Sequence, residues 1–196
     1  MNRIIMMCLD AALSALILIP VFLILNRFVF CSNAKTTCYF IFAIYLSGMF
    51  AVVGLPTVKY VRFDPNINIV PFSYMFSDYE NSILNVLLFL PFGFFLPFFW
   101  KYFKAFHRTL FFGFCASLFI EVLQLFTFRA TDINDLITNT LGTFLGWFLA
   151  KVIIQLFPSI SPSRKTGDAY LISGLSFVIM FFIQPFFADF LFPLLF

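Results

Sequence analysis

The chain has 196 residues, 62% of them hydrophobic and 11% charged, with a formal net charge of +3. A soluble domain carries about 25% charged residues, so a soluble globular fold is excluded. No basic cluster sits on a soluble surface where a phosphate backbone could lie, which removes nucleic acid as a partner.

Apolar runs of about the 20 residues that cross the hydrocarbon core follow one another along the chain. They predict about six spans at 4–30, 38–58, 82–102, 110–126, 136–157 and 169–187. The expected fold is all-α, a polytopic transmembrane helical bundle forming one domain over 1–196. Arg3 ahead of the first run resembles the start of a signal peptide. The run is too long for one and no small-x-small cleavage site follows, so a retained helix is expected. Between spans two and three the loop 59–81 carries Asp64-Pro65, Val70-Pro71 and Asp78. Proline drives its predecessor out of the helical region, which predicts an ordered extended segment. Pro91 and Pro97 are expected to kink span three or to unwind it beside a binding site. Apolar residues continue past the last span to 196, broken by Pro185 and Pro193, and are expected to bend or to lie along the interface.

Some side chains carry little chemistry. The 34 Phe run through every apolar stretch, as lipid-facing and interhelical filler would. Cys8, Cys31, Cys38 and Cys115 lack Cys-x-x-Cys spacing and share the chain with one histidine, His107, so they read as buried thiols rather than a zinc site. His107, beside Lys104 and Arg108, reads as a solvated loop residue. Asp10 is expected to pair with Arg3.

Of the 12 Lys and Arg, eight fall in alternate connections: Arg27, Lys35, Lys101, Lys104, Arg108, Lys151, Arg164 and Lys165. The positive-inside rule makes those connections cytoplasmic. Both ends of the chain, the loop 59–81 and the Arg129–Asp135 turn then face outward.

Polar residues recur at helical spacing in three spans. Asp132, Asp135, Asn139, Gly142 and Gly146 form one stripe, whose Gly-x-x-x-Gly pair permits close approach of a neighbouring helix. Gly113, Ser117, Glu121 and Gln124 form a second; Asn85, Phe89, Gly93 and Pro97 form a third. At 1.5 Å per residue, Glu121 lies about 10 Å and Asn139 about 5–6 Å below the outer boundary, with Asn85 at a similar depth to Asn139. The expectation is an outward-facing pocket of Asn85, Glu121, Gln124 and Asn139 with Arg129, Asp132 and Asp135 at its mouth. A packing role competes with it: Asp132 would cap span five and pair with Arg129, and the amides would hold helices together. Glu121 resists that explanation, because a carboxylate so deep needs a proton or a cation.

Three motifs in order, Asn68-Ile-Val-Pro71-Phe72, Asn85-Val-Leu-Leu-Phe89-Leu-Pro91-Phe-Gly93 to Pro97, and Ser117 through Glu121-x-x-Gln124, Arg129, Asp132-x-x-Asp135 and Asn139-x-x-Gly142, resemble the VanZ-like family. The resemblance covers about 60–150, leaving the helix 4–30 and the apolar segment 169–196 outside it. It implies a multi-pass protein of the bacterial cytoplasmic membrane and cell envelope, in a family named for an association with resistance to teicoplanin, a lipoglycopeptide.

Three functions fit. The first is a binding protein or flippase-like handler of a lipid-linked cell-wall precursor, a lipoglycopeptide or a membrane lipid, with Arg129 on an anionic head and Glu121 and the amides on hydroxyls. The second is an intramembrane enzyme acting on a lipid-linked phosphate or sugar, with Glu121 as general acid or base and Asp132 and Asp135 as weak candidates for a metal ion. The signatures His-Glu-x-x-His and Gly-x-Ser-x-Gly are absent, no cofactor is expected, and the second reading ranks below the first. The third is an assembly or regulatory subunit in which the cluster only packs.

Overall fold

The computed structural model describes residues 3–72, 79–127, 129–158 and 162–195. Seven α-helices account for most of them: α1 (Arg3–Leu25), α2 (Asn33–Val53), α3 (Tyr79–Phe99), α4 (Phe106–Gln124), α5 (Ile133–Leu156), α6 (Gly167–Val178) and α7 (Gln184–Leu195). Two strands, β1 (Ile67–Asn68) and β2 (Thr131–Asp132), pair in parallel. Six helical stretches are long and apolar enough to cross a membrane: Leu9–Phe30, Asn33–Val53, Tyr79–Phe99, Phe106–Gln124, Ile133–Leu156 and Gly167–Phe190. The chain is a polytopic all-α membrane protein, as its apolar runs imply.

The chain divides into two compact units, one of residues 1–61 with 170–196, the other of residues 62–169. In the first, α1 runs into a π-helical turn (Asn26–Phe30) that ends on Cys31 at φ 49°. Asn26 organises the turn into α2: its Nδ2 donates to Asn33 Oδ1 at 2.7 Å, and its Oδ1 accepts from the Ser32 N–H and the Thr36 hydroxyl. α2 stops at Val53, five residues short of the expected end, because Gly54 takes a left-handed conformation (φ 64°) and its N–H bonds the Phe50 carbonyl. Such glycine C-caps satisfy carbonyls that the helix leaves open.

The C-terminal apolar segment continues as helix. A second π-helical turn (Ile179–Ile183) joins α6 to α7 without a break. Pro185 offers no N–H there, and the Phe181 carbonyl four residues before it accepts the Val58 N–H at 3.0 Å. Across this unit the Ser14 hydroxyl meets Met180 Sδ, and Gln184 Nε2 donates to Asp10 Oδ1 at 2.5 Å. Asp10 therefore has a partner that sequence spacing did not suggest; the Arg3 side chain expected there lies outside the described residues. Lys59 pairs with Asp189.

The second unit is built on glycine. A Cβ at Gly142 would strike the Val86 carbonyl, and one at Gly146 the Leu90 carbonyl. Both steps advance by four residues along each helix, so α3 and α5 run parallel, backbone against backbone. A Cβ at Gly93 would likewise meet the Thr143 carbonyl. α3 stays helical through Pro91 and Pro97, so of the two alternatives, a kink or an unwound segment, the unwound segment is not found. α4 returns antiparallel, with Gly113 facing Thr143 and Ser117 facing Asn139. The start of α3, the end of α4 and the start of α5 consequently share one end of the unit. His107 lies exposed in the first turn of α4, so it is helical and not in a loop. Of the cysteines, Cys31 is exposed while Cys38 and Cys115 are half-buried, and all three are free thiols; the buried character expected of them does not hold. The Cys8 side chain lies outside the described residues.

Candidate functional site

The end of α4 would leave its last carbonyls open. Residues just after it close several of them, with the Phe126 N–H on the Leu123 carbonyl and the Thr127 N–H on that of Gln124. The loop from Arg62 bonds the turn that follows: the Arg62 N–H meets the Phe126 carbonyl at 3.1 Å and the Asp64 N–H the Leu125 carbonyl at 2.9 Å. The loop then pairs as β1 with β2, Ile67 opposite Thr131 and Asn68 opposite Asp132. Around this pairing residues 61–70 run extended and 71–72 turn. Residues 73–78 of the expected extended loop, Asp78 among them, lie outside the described residues.

Asp132 caps α5, accepting the Asn134 N–H on Oδ1 at 2.8 Å. Its Oδ2 accepts from Asn68 Nδ2 at 3.0 Å, and its own N–H donates to Glu121 Oε2 at 2.9 Å. The Thr131 hydroxyl donates to the Glu121 carbonyl. Glu121 is 4% exposed, and Asp135, Asp132 and Arg129 are its charged neighbours. Two turns deeper, Asn139 Nδ2 donates to the Ser117 hydroxyl at 2.9 Å, in a setting where Asn139 is 3% exposed. Its Oδ1 is buried and accepts no hydrogen bond from the described residues. Unsatisfied buried acceptors are uncommon and call for an explanation.

The predicted residues separate into three groups. Of this polar assembly, Glu121 and Asp132 share one hydrogen-bonded cluster and Asn139 forms a second with Ser117 deeper between α4 and α5. Asp135 and Arg129, both half-buried, act on Glu121 through their charge. Gln124 is buried at the end of α4, where its carbonyl accepts from Thr127. Asn85 departs from expectation. It is half-buried on α3, one turn before Phe89 on the same face, and makes no hydrogen bond to the assembly among the described residues.

Asn134 was missed by sequence reasoning. It is buried, and its Oδ1 accepts the Phe72 N–H at 2.6 Å. That bond holds Phe72 at φ 61°, a conformation costing of order 1–3 kcal/mol in a bulky residue. The signal available was an amide two residues past a capping aspartate. Asn68 stands in the resemblance motif but was not among the site residues.

Beside the assembly an open groove of about 490 Å³ is lined by Phe72, Tyr79, Ser82, Ile83, Val86, Leu87, Thr138 and Leu141. Thr138 lines the groove, its hydroxyl turned back to the Asn134 carbonyl one turn earlier in α5 at 2.9 Å, and Asn139 is the next residue along the helix. The polar groups and the apolar groove thus lie near each other along α5. Among the described residues, no three His, Cys, Asp or Glu are placed to hold a metal ion.

The family model VanZ/LLP1 matches residues 36–155, more than half of the chain. The chain belongs to the VanZ/LLP1 family. The match takes in the whole polar assembly and reaches back into α2. Protein VanZ of Enterococcus faecium is 39% identical over 82 residues, covering 41% of this chain and 50% of that protein. The chain therefore spans about half the length of the curated relative that it matches. No solved structure matches it.

Proposed function

We propose that this VanZ/LLP1 protein binds an envelope amphiphile, such as a lipid-linked cell-wall precursor or a lipoglycopeptide, with its polar head at the Glu121–Asn139 assembly. The supporting observation is adjacency on α5: Asn139, whose buried Oδ1 is an unused acceptor, directly follows Thr138, which lines an apolar groove large enough for a hydrocarbon chain. An amphiphile needs both at once, with its head among hydrogen-bonding groups and its tail against aliphatic side chains. Arg129 supplies the cation for an anionic head, and the charge distribution of the loops supports an extracytoplasmic position for the site. Protection against a teicoplanin-type antibiotic is the envelope role that family membership supports, read out as growth of expressing cells on that drug.

Native mass spectrometry of the whole protein in mild detergent tests the reading. Wild type should retain an amphiphile that Arg129→Ala and Asn139→Ala lose, while thermal stability stays near wild type. Retention of the same adduct by both variants would overturn it.

The burial of Glu121 favours a second reading, in which the carboxyl transfers a proton to or from a lipid-linked substrate. Its Oε2 already accepts the Asp132 N–H, which supports a positioning role for Glu121 and ranks the enzymatic reading second.

A further inference from the structure

The opposite end of the second unit carries a different chemistry. There the short helix Lys101–Lys104 that follows α3, the start of α4 and the last turns of α5 come together, linked by the hydrogen bond from Trp147 Nε1 to the Lys104 carbonyl at 3.1 Å. A pocket of about 260 Å³ opens between them, lined by Pro97, Lys104, Trp147, Lys151, Ile154 and Gln155. The Lys151 ammonium stands over the Trp147 ring, 5.1 Å from its centroid.

Charge is one-sided here. The chain contains no acid between Glu80 and Glu121 and none between Asp135 and Asp168, and every residue of this pocket falls within those two stretches. Lys101, Arg108, Arg164 and Lys165 add cations nearby in sequence, and Arg108 is engaged with the Tyr102 ring at 4.3 Å. Depth also fits. Lys151 lies 18 residues beyond Ile133, about 27 Å along α5 at 1.5 Å per residue, close to the ~30 Å thickness of the hydrocarbon core. The ammonium groups of Lys104 and Lys151 therefore stand at the level of lipid phosphates, while Pro97 and the Trp147 ring, about a turn nearer the membrane centre, form an apolar wall at the level of the glycerol esters. Tryptophan favours that level.

We infer that this pocket binds the headgroup of an anionic phospholipid, its phosphate between Lys104 and Lys151 and its glycerol backbone against Trp147. The site is separate from the amphiphile site at the other end of the same helices, and it stands or falls independently of that reading. Basic pockets between membrane helices select anionic lipids because each cation near the surface adds attraction that a zwitterionic headgroup does not return.

The test is fluorescence quenching in vesicles of the full chain, using phosphatidylcholine with a fixed mole fraction of either brominated phosphatidylglycerol or brominated phosphatidylcholine. The chain has two tryptophans; subtracting the Trp147→Phe signal isolates Trp147 from the buried Trp100. Brominated phosphatidylglycerol should quench Trp147 about twofold or more beyond brominated phosphatidylcholine. The double variant Lys104→Gln/Lys151→Gln should erase the difference, whereas Lys101→Gln/Arg108→Gln, equal in charge but outside the pocket, should keep it. Both pocket lysines are exposed, so these substitutions leave the fold intact, and Lys151→Arg should preserve selectivity. Equal quenching by the two lipids, or equal loss in the two double variants, would overturn the pocket.

Discussion

Gly146→Ala should destabilise the protein by about 3 kcal/mol or more, whereas Gly48→Ala should be neutral or stabilising by about 0.5–1 kcal/mol. The two substitutions are chemically identical and both fall inside helices. They differ in what the new methyl meets. At Gly146 it strikes the Leu90 carbonyl and the backbone of Gly93 and Phe94, rigid atoms that cannot turn aside. At Gly48 nothing lies within 4 Å, and only the helix-propensity gain remains. Relief at Gly146 requires α3 and α5 to move apart, which also pulls the Val86 carbonyl off Gly142 and opens the groove wall. Thermal unfolding in detergent, followed by size-exclusion chromatography, reads both variants. Equal behaviour of the two would contradict the backbone-to-backbone packing of α3 and α5.

Glu121 separates the functional readings. Glu121→Ala removes the acceptor of the Asp132 N–H at a site that is 4% exposed and should cost about 1–3 kcal/mol. The capped start of α5 then loses its side-chain anchor to α4, keeping only the Thr131 hydroxyl on the backbone carbonyl of residue 121, and amphiphile binding should fall with it. Glu121→Gln keeps an oxygen in the same place. It should hold stability within about 0.5–1 kcal/mol of wild type, with binding largely intact. If Glu121→Gln instead keeps stability and binding yet abolishes function in cells, acid–base chemistry at Glu121 takes precedence over binding.

The spacing of polar residues carried the long-range part of this site. Gly113, Ser117, Glu121 and Gln124 are all buried on one face of α4, and the Gly142-x-x-x-Gly146 pair does receive a neighbouring helix. A period of about 3.6 residues survives in the sequence because each turn meets the same neighbour. The cap at Asp132 was legible for a related reason, since it depends on local chain geometry alone. What escaped depends on register between distant segments. Two-residue strands such as β1 and β2 have no periodicity to read, so the pairing of Asn68 with Asp132 left no mark. The stripe of Asn85 does turn inward at Phe89, Gly93 and Pro97, but spacing alone does not say which polar partner its first member reaches, and Asn85 bonds none of the assembly among the described residues. The left-handed Phe72 depends on Asn134, 62 positions away, and no local signal anticipates it.

Family membership and the fold agree on a multi-pass membrane protein whose matched region contains the whole polar assembly. The central claim is narrower: one amphiphile has its head at Asn139 and its tail in the groove beside it. A photoreactive phenylalanine analogue placed at Ile83, which lines the groove and is 53% exposed, tests it in living cells. Mass spectrometry of the crosslinked protein should find one dominant class of adduct, a long chain bearing a hydroxyl- or amide-rich head, and Asn139→Leu should abolish it. Adducts that mirror the bulk phospholipid composition and persist unchanged in Asn139→Leu would contradict the claim.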